Sequence, residues 1–284
     1  MVPKVQYNIL KNLAKYKFLS RKQMKRLGIA ASNSNLGHYC KGLLDAKYIG
    51  LINGKDYGLG YMYYLAKKGA RLLEQKNELS LSINYFDAKP KSQPSTLWHS
   101  HNSIYCQIEC DIVAFKKDYS FDFYIKDIDR MGKSSSQHSK YTKATSIDVS
   151  GEILEPDACF LIQNRLFAFE YENQTYTKRS FHKMIFHCEA LKQRSLGKQY
   201  QLQKEGRYKL HRVLVVYEKQ NVLENTIKRM NKELNDNLIK GKWFLFKHIS
   251  EVLPKVTWNE PVTETLDYFD DWLTLSGERV NMFS

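Results

Sequence analysis

The stretch EPDACFLIQNRLFAFEYE, residues 155–172, holds two short apolar runs with acidic residues beside and within them. ACFLI and RLFAFEYE have the length of β-strands, and Gln163-Asn164 between them is a pair typical of turns. Pro156 comes just before the first run, where its missing N–H costs little. The stretch therefore predicts a β-hairpin.

The acidic residues of this hairpin should lie close together. Side chains alternate along a strand, so Glu170 and Glu172 should project from one face and the aromatic residues between them from the other. Normal pairing then brings Asp157 near Glu170 or Glu172. Three carboxylates repel one another unless a cation compensates them, and their oxygens suit Mg²⁺ or Mn²⁺. Spacing alone leaves two interpretations open: an ordinary hairpin with solvated acids at its ends, or a metal-binding cluster.

The chain beyond the hairpin alternates helices and strands. TYTKRSFHKMIFHCEALKQ, residues 175–193, predicts a helix whose basic residues include Lys178 and Lys183. One of these cations could return to the acidic face. HRVLVVYE (211–218) and GKWFLFKHI (241–249) predict strands, with a helix between them. This order predicts a mixed sheet flanked by helices, within an α+β or α/β chain.

The N-terminal region has helical patterning and strong positive charge. Three helices are predicted, at 5–16, 21–29 and after the Ser/Asn-rich start at residue 32, with Ser20 as an N-cap and Gly28 as a stop. A hairpin follows, with its turn at Asn53-Gly54. Residues 1–76 hold 15 basic side chains against three acids, within a net charge of +14 for the chain. The pattern predicts a winged helix-turn-helix that binds DNA, although such a module can also serve protein contacts.

The third helix of such a module enters the major groove by its N-terminal part. The residues expected to contact bases or phosphates there are Ser32, Asn33, Ser34, Asn35 and His38. The residues expected to contact phosphates elsewhere are Arg21, Lys22, Lys25, Arg26 and, on the wing, Lys55.

The remaining features set the domain boundaries. We expect a winged-helix domain at 1–78, a Pro/Ser-rich linker at 79–95, a nuclease-like domain at 96–258 and an acidic aromatic tail at 259–284. A helix carrying His99 and His101 opens the second domain, and each histidine is expected to cap or pack. No apolar run approaches the length of a membrane span, and five scattered cysteines suggest reduced thiols, so we expect a cytoplasmic protein.

The acidic hairpin resembles the PD-(D/E)xK nuclease pattern. In that pattern, Pro-Asp at a strand start is followed on the next strand by Glu-x-Lys; here it is Pro156-Asp157 and Glu170-Tyr171-Glu172, with Glu172 at the lysine position. This resemblance implies a restriction-endonuclease-like, PD-(D/E)xK mixed-sheet domain. Glu172 leaves the identity of any activating base open.

The order of parts is also similar to a known family. A winged helix ending in Tyr64-Leu65-x-x-Lys68-Gly69, a linker, a histidine-bearing helix and then the acidic hairpin resemble the replication-relaxation proteins, which are similar to MobC-type plasmid mobilization relaxases. The resemblance covers about residues 5–220. It implies binding to double-stranded DNA at an origin of transfer and strand nicking during conjugative mobilization.

The leading hypothesis is a site-specific, metal-dependent DNA endonuclease of relaxase type. Asp157, Glu170 and Glu172 would hold Mg²⁺ or Mn²⁺, and Lys178 and Lys183 would stabilise the developing negative charge. The alternative is a non-catalytic DNA-binding regulator of plasmid replication or mobilization, which Glu172 in place of lysine favours. A third hypothesis is an adaptor whose acidic aromatic tail recruits other mobilization or transfer proteins.

Overall fold

The structure is a computed structural model that describes residues 2–55, 58–75, 94–123, 147–149, 152–154, 156–173, 177–192, 210–234, 242–253 and 265–284. Contacts between backbone positions divide the described chain into two compact units, the first up to Ile108 and the second from Glu109. The division falls within one helix, Pro94–Lys116. The predicted linker at 79–95 lies almost wholly outside the described residues, so the predicted domain limits stay predictions.

The first unit combines helices with a small antiparallel sheet. In chain order its elements are α1 (Lys4–Tyr16), β1 (Phe18–Ser20), α2 (Arg21–Arg26), α3 (Asn33–Asp45), β2 (Ile49–Gly54), β3 (Gly60–Leu65), α4 (Lys67–Gln75) and the start of α5 (Pro94–Lys116). The sheet order is β1-β3-β2. The three predicted helices are confirmed, and β1 is an addition that the sequence did not indicate.

Local sequence signals explain where α2 begins and ends. The Ser20 hydroxyl accepts from the Gln23 backbone N–H at 3.3 Å, and the Gln23 side chain accepts from the Ser20 backbone N–H at 2.8 Å. This reciprocal capping box satisfies two backbone donors at the start of the helix. Gly28, just beyond the end, has φ +68°, a conformation that glycine adopts without steric cost. The predicted cap and stop are confirmed.

The turn of the β2–β3 hairpin lies later than predicted. Asn53 and Gly54 are the last residues of β2, and Gly54 pairs with Gly60. The connection therefore covers residues 55–59, of which 56 and 57 are not described. Gly58 and Gly60 have φ values of +70° and +68°, so glycines beyond the predicted pair allow the chain to reverse.

The second unit is built on a mixed sheet. Its elements after the end of α5 are β4 (Phe121–Phe123), β5 (Ile147–Val149), β6 (Glu152–Leu154), β7 (Ala158–Ile162), β8 (Arg165–Glu172), α6 (Thr177–Lys192), β9 (Leu210–Tyr217), α7 (Gln220–Glu233), β10 (Phe244–His248), β11 (Trp272–Leu273) and β12 (Arg279–Val280). The described sheet has the order β12-β11-β10-β9-β8-β7-β4, and β5 pairs separately with β6. β8, β9 and β10 are parallel neighbours, whereas the other pairings are antiparallel. The predicted mixed α and β content is confirmed.

The β7–β8 hairpin is confirmed at its predicted turn. Ile162 pairs with Arg165, and Gln163 and Asn164 have φ values of +49° and +61°. Two positive φ values in a two-residue loop match the twist of antiparallel strands. Leu166 and Ala168 of β8 belong to the core packed by Met184 of α6 and residues of α7. Alternation therefore directs Glu170 and Glu172 to the α6 face.

The C-terminal segment belongs to the second unit and is not a free tail. Residues 265–284 contribute β11 and β12 to the sheet edge. Tyr268, Phe269 and Trp272 are at most 1% exposed. The buried Lys247 ammonium donates to the backbone oxygen of Asp267 at 3.0 Å. These aromatic side chains pack in the protein and are not available to a partner.

The remaining predictions concern the cysteines, His101, a polar loop and membrane spans. All five cysteines are buried and lie outside any disulfide. His101 is buried, and its backbone oxygen accepts from the Gln23 side chain at 2.9 Å, which confirms a packing role. Residues 129–146 are polar and lack periodicity, which predicts a loop, and they lie outside the described residues. Within the described helices, none has the length and apolar character needed to cross a membrane.

Candidate functional site

The acidic residues of the hairpin converge in the second unit as predicted. Asp157 lies just before β7, and its Oδ2 accepts from the Tyr171 backbone N–H at 2.8 Å. The Asp157 backbone N–H lies 3.4 Å from Oε2 of Glu170. The side chains of Glu170 and Glu172 are 0% and 3% exposed. The interpretation of solvated acids at the ends of a hairpin is therefore wrong.

Lys183 of α6 supplies the cation for this cluster. Its Nζ lies 2.7 Å from Oε2 of Glu170 and 3.2 Å from Oε1 of Glu172. The lysine side chain remains 27% exposed, so the cluster has one side open to solvent. One ammonium thus bridges the two strand carboxylates, which fulfils the expectation that a helix cation could return to the acidic face.

His187 completes the surroundings of Glu170. Its Nε2 lies 2.6 Å from Oε1 of Glu170, and both side chains are 0% exposed. Lys183 and His187 are four residues apart on α6, so they lie on the same helix face. His187 was not predicted from the sequence, although its spacing from a candidate lysine was a signal that could have indicated it.

The charges of the cluster are strongly coupled. Burial raises the pKa of Glu170, but Lys183 and His187 outweigh burial and bring that pKa down to about 2. Burial raises the pKa of Glu172 above its usual value, with Glu170 and Asp157 adding to the rise and Lys183 opposing it. Burial lowers the pKa of Lys183, but the surrounding carboxylates hold it well above its usual value. The lysine is therefore charged at neutral pH.

The three carboxylates of the cluster match a divalent cation in the type of ligand atom only. Asp157, Glu170 and Glu172 offer hard oxygen ligands of the kind that Mg²⁺ and Mn²⁺ prefer. The ammonium of Lys183 compensates only part of three carboxylates. Within the ranges that the structure describes, no group of three or more His, Cys, Asp or Glu side chains has the arrangement needed to hold a metal ion. A cation at this cluster would have to share Glu170 and Glu172 with Lys183.

Lys178 is not brought to the carboxylates. It is exposed and lies on a groove between α6 and α7, which is lined by Phe181, His182, Ile185, Glu189, Arg229, Glu233 and Leu234. Of the two lysines predicted to act in catalysis, the structure places Lys183 at the acidic cluster and Lys178 elsewhere on the helix.

A hydrogen-bond network supports β8 behind the cluster. The Tyr171 hydroxyl donates to Oε2 of Glu218 at 3.0 Å, and the Glu218 backbone N–H donates to the backbone oxygen of Glu172 at 2.9 Å. Ser180 of α6 and Tyr217 of β9 share a buried hydroxyl hydrogen bond of 2.8 Å. These bonds hold α6, β8 and β9 together around the acidic residues.

The first unit presents a polar helix face. Ser34, Asn35 and His38 are exposed on α3, whereas Ser32 is half-buried and caps the helix by accepting from the Asn35 N–H at 3.1 Å. Asn33 is also half-buried. Lys41, one turn beyond His38, is exposed on the same face. Lys41 was not predicted from the sequence, although helical spacing from His38 could have indicated it.

Basic residues lie close to this polar face. Arg21, Lys22, Lys25 and Arg26 of α2 are half-buried, and burial lowers the pKa of Lys22. A Cβ at Gly37 of α3 would lie 3.1 Å from Nη1 of Arg21, so the absence of a side chain at Gly37 gives the guanidinium room against the helix. Lys55 is exposed after β2, with Nζ 4.5 Å from the centre of the Tyr61 ring.

Comparison with known proteins adds no assignment. No protein-family model, curated protein or solved structure matches the chain.

Proposed function

We propose that the protein is a site-specific, metal-dependent DNA endonuclease of relaxase type, related to the replication-relaxation proteins. In this proposal the first unit is a winged helix that binds double-stranded DNA. The second unit is a PD-(D/E)xK-like nuclease domain that nicks one strand at a plasmid transfer origin.

The convergence of Asp157, Glu170, Glu172 and Lys183 is the observation that carries this proposal. Buried ion pairs add little to stability, because the loss of hydration offsets the attraction between the charges. Buried carboxylates with displaced pKa values, beside a cation and next to an open side, are more typical of functional sites. The element order also suits the pattern, since the aspartate immediately precedes one strand and the glutamates end the next.

The architecture of the first unit supports DNA binding. Three helices and a sheet of order β1-β3-β2 support the proposal of a winged helix. The exposed side chains of α3 can donate to and accept from base edges, and the lysines and arginines of α2 can contact phosphates. Lys55 then lies on the wing. The charge of residues 1–76 favours a polyanion over a protein partner.

The residues of the cluster have separable roles in the proposed reaction. Asp157, Glu170 and Glu172 would hold a divalent cation, which supplies Lewis acidity toward the scissile phosphate and a more acidic water. Lys183 would approach the phosphate from the open side and stabilise the negative charge that develops there. Glu172 occupies the sequence position at which the family pattern has lysine, and Lys183 reaches the same carboxylates from α6.

One observation favours a second candidate, a non-catalytic DNA-binding regulator of plasmid replication or mobilization. Glu170 already has a partner on each oxygen, with His187 on Oε1 and Lys183 on Oε2. A cluster neutralised in this way can persist as a fold element. Both candidates predict DNA binding, and only the first predicts cutting.

The test is nicking of a supercoiled plasmid that carries the DNA next to the protein's own gene. We expect the wild type to produce open circles with Mg²⁺ or Mn²⁺ and none with a chelator. Asp157→Ala and Glu170→Ala should still shift the DNA but leave it supercoiled. A wild type that shifts the DNA without cutting it in any divalent metal would favour the regulator.

A further inference from the structure

Among the described residues, the buried ring of His187 forms its hydrogen bond with Glu170 alone. A carboxylate oxygen only accepts, so Nε2 carries the hydrogen and donates to Oε1 of Glu170 at 2.6 Å. Nδ1 is buried and has no hydrogen-bond partner among the described residues. The ring otherwise packs edge-on to Phe244, with centroids 6.5 Å apart. A buried histidine with one ring nitrogen unpaired requires an explanation, because buried polar atoms normally have hydrogen-bond partners.

The two oxygens of Glu170 lie in different surroundings. Oε1 faces His187, which is fully buried. Oε2 faces the Lys183 ammonium at 2.7 Å and the Asp157 backbone N–H at 3.4 Å. Oε2 is therefore the oxygen next to the partly exposed lysine, whereas the Glu170 side chain itself is 0% exposed. The carboxylate therefore has one fixed end and one end that faces the other charged groups.

The packing of α6 fixes the orientation of His187. Met184 and Cys188 of α6 are 0% exposed in the core against the sheet. They are direct neighbours of Lys183 and His187 in the chain, so the helix cannot rotate without removing them from the core. The same packing that buries the apolar side chains thus places the lysine and the histidine on one glutamate.

We infer that His187 is a positioning residue of the proposed nuclease, which holds Oε1 of Glu170 and so presents Oε2 to Asp157, Lys183 and the bound cation. The inference rests on the proposed function and assigns a residue that the nuclease pattern does not contain. Groups that hydrogen-bond to a metal-binding carboxylate orient it, and their loss typically costs about 10–100-fold in metal affinity or activity. His187 would act through Glu170 in this way, without contacting the DNA itself.

Two substitutions separate positioning from simple support of the fold. His187→Leu fills the space but removes the donor, whereas His187→Gln can place an amide N–H near the position of Nε2. Three quantities are measured per folded molecule: Mn²⁺ affinity of the DNA-free protein by electron paramagnetic resonance, the single-turnover nicking rate, and the dissociation constant for DNA. Urea unfolding of each variant gives the folded fraction.

A positioning role predicts a defined pattern. His187→Leu should weaken Mn²⁺ binding and slow nicking by about 10–100-fold, while DNA affinity stays within about twofold because α3 is unchanged. His187→Gln should recover most of both losses. Wild-type Mn²⁺ affinity and nicking in the folded His187→Leu protein would overturn the inference and leave the proposed nuclease intact.

Other results distinguish the two claims. A wild type that binds Mn²⁺ without nicking, together with weaker binding in His187→Leu, would support the positioning role and reject the nuclease. A wild type that neither binds Mn²⁺ nor nicks would reject both. Equal losses in His187→Gln and His187→Leu would also overturn the inference, because the donor would then have no specific effect.

Discussion

The ammonium of Lys183 lies 2.7 Å from Oε2 of Glu170, and this contact joins α6 to the end of β8. The same ammonium reaches Glu172 at 3.2 Å. The positive charge of Lys183 therefore offsets the repulsion between these two buried carboxylates. A divalent ion that binds these carboxylates has to compete with it or share them.

Replacing Lys183 tests this competition. Lys183→Met should lower the free energy of unfolding by about 2–4 kcal/mol, slightly below the usual cost of breaking a buried pair because the lysine is partly exposed. Added Mn²⁺ should stabilise Lys183→Met more than the wild type, since the ion meets no resident cation. Urea unfolding with and without Mn²⁺ measures both effects.

Lys178→Met is the matched control for this substitution. Lys178 lies on the same helix but is exposed and away from the carboxylates. Its replacement should change stability by less than about 0.5 kcal/mol, as is usual for surface positions. An equal response of both variants to Mn²⁺ would contradict a shared site for Lys183 and the metal.

The pKa of Glu170 predicts how stability depends on pH. Its pKa of about 2 in the folded protein lies below the usual value of 4.5, so ionised Glu170 stabilises the fold above pH 4.5 and this contribution is lost as the pH falls from 4.5 toward 2. Glu172 has the opposite effect on stability. Because its pKa is raised in the folded protein, protonation of Glu172 at lower pH favours folding. Glu170→Gln should be less stable than the wild type at pH 6, and the difference should shrink on acidification.

Unfolding in urea between pH 2 and pH 6 measures this convergence. Glu233→Gln is the control, because it removes an exposed carboxylate of α7 that pairs with Arg229 and such pairs add little to stability. Its curve should follow that of the wild type. A constant difference between the wild type and Glu170→Gln over this range would show that Glu170 is not selectively stabilised in its ionised form.

Short-range patterns predicted the hairpin but not the full set of charged contacts. Alternation along β8 fixed Glu170 and Glu172 on one face, and Gln163-Asn164 fixed the turn. The choice between Lys178 and Lys183 depended on how α6 rotates against the sheet, which Met184 and its apolar neighbours decide by tertiary packing. The burial of Glu170 and Glu172 also depends on tertiary packing, because α6 covers the face of β8 from which they project.

The misplaced features of the fold also have physical reasons. Asn53-Gly54 has the composition of a tight turn, yet both residues pair within β2 because later glycines supply the positive φ values. The aromatic C-terminal segment has no sequence feature that reveals its place in a sheet. Leu273 pairs with Phe246 of β10 and Trp272 pairs with Val280 of β12; the pairing with β10 is long-range, which local patterns do not encode.

The polar face of α3 and the wing should contribute differently to DNA binding. His38→Ala should reduce discrimination between the selected site and unrelated DNA by about 1–3 kcal/mol. Lys55→Ala should weaken binding to both DNAs alike and reduce the salt dependence of log K by about 0.9. Binding isotherms at several salt concentrations, on a site obtained by selection from random DNA, measure both quantities.

Lys232→Ala, which removes an exposed lysine from α7, controls for total charge. It should leave discrimination and the salt slope close to the wild-type values. Loss of discrimination by Lys55→Ala alone, with no effect of His38→Ala, would reverse the roles that we assign to the helix and the wing.

The capping box predicts a stability effect at the start of α2. Ser20→Ala removes the hydroxyl that accepts from the Gln23 N–H and should destabilise the protein by about 1–2 kcal/mol. Ser34→Ala, at an exposed position of α3, should cost less than about 0.5 kcal/mol. Thermal or urea unfolding compares the two, and equal stability would argue against a contribution from the cap.

The proposed function requires that the Asp157 carboxylate takes part in cutting DNA. Asp157→Asn keeps the size of the side chain and an oxygen that can accept from the Tyr171 N–H, but it removes the charge. The decisive measurement is the single-turnover nicking rate of supercoiled plasmid in Mn²⁺, with DNA affinity measured on the same preparations. We predict unchanged DNA affinity and a nicking rate at least about 100-fold below that of the wild type. A loss of about 100-fold is the upper limit for removing a residue that only hydrogen-bonds to a metal ligand. Nicking by Asp157→Asn at the wild-type rate would contradict the account.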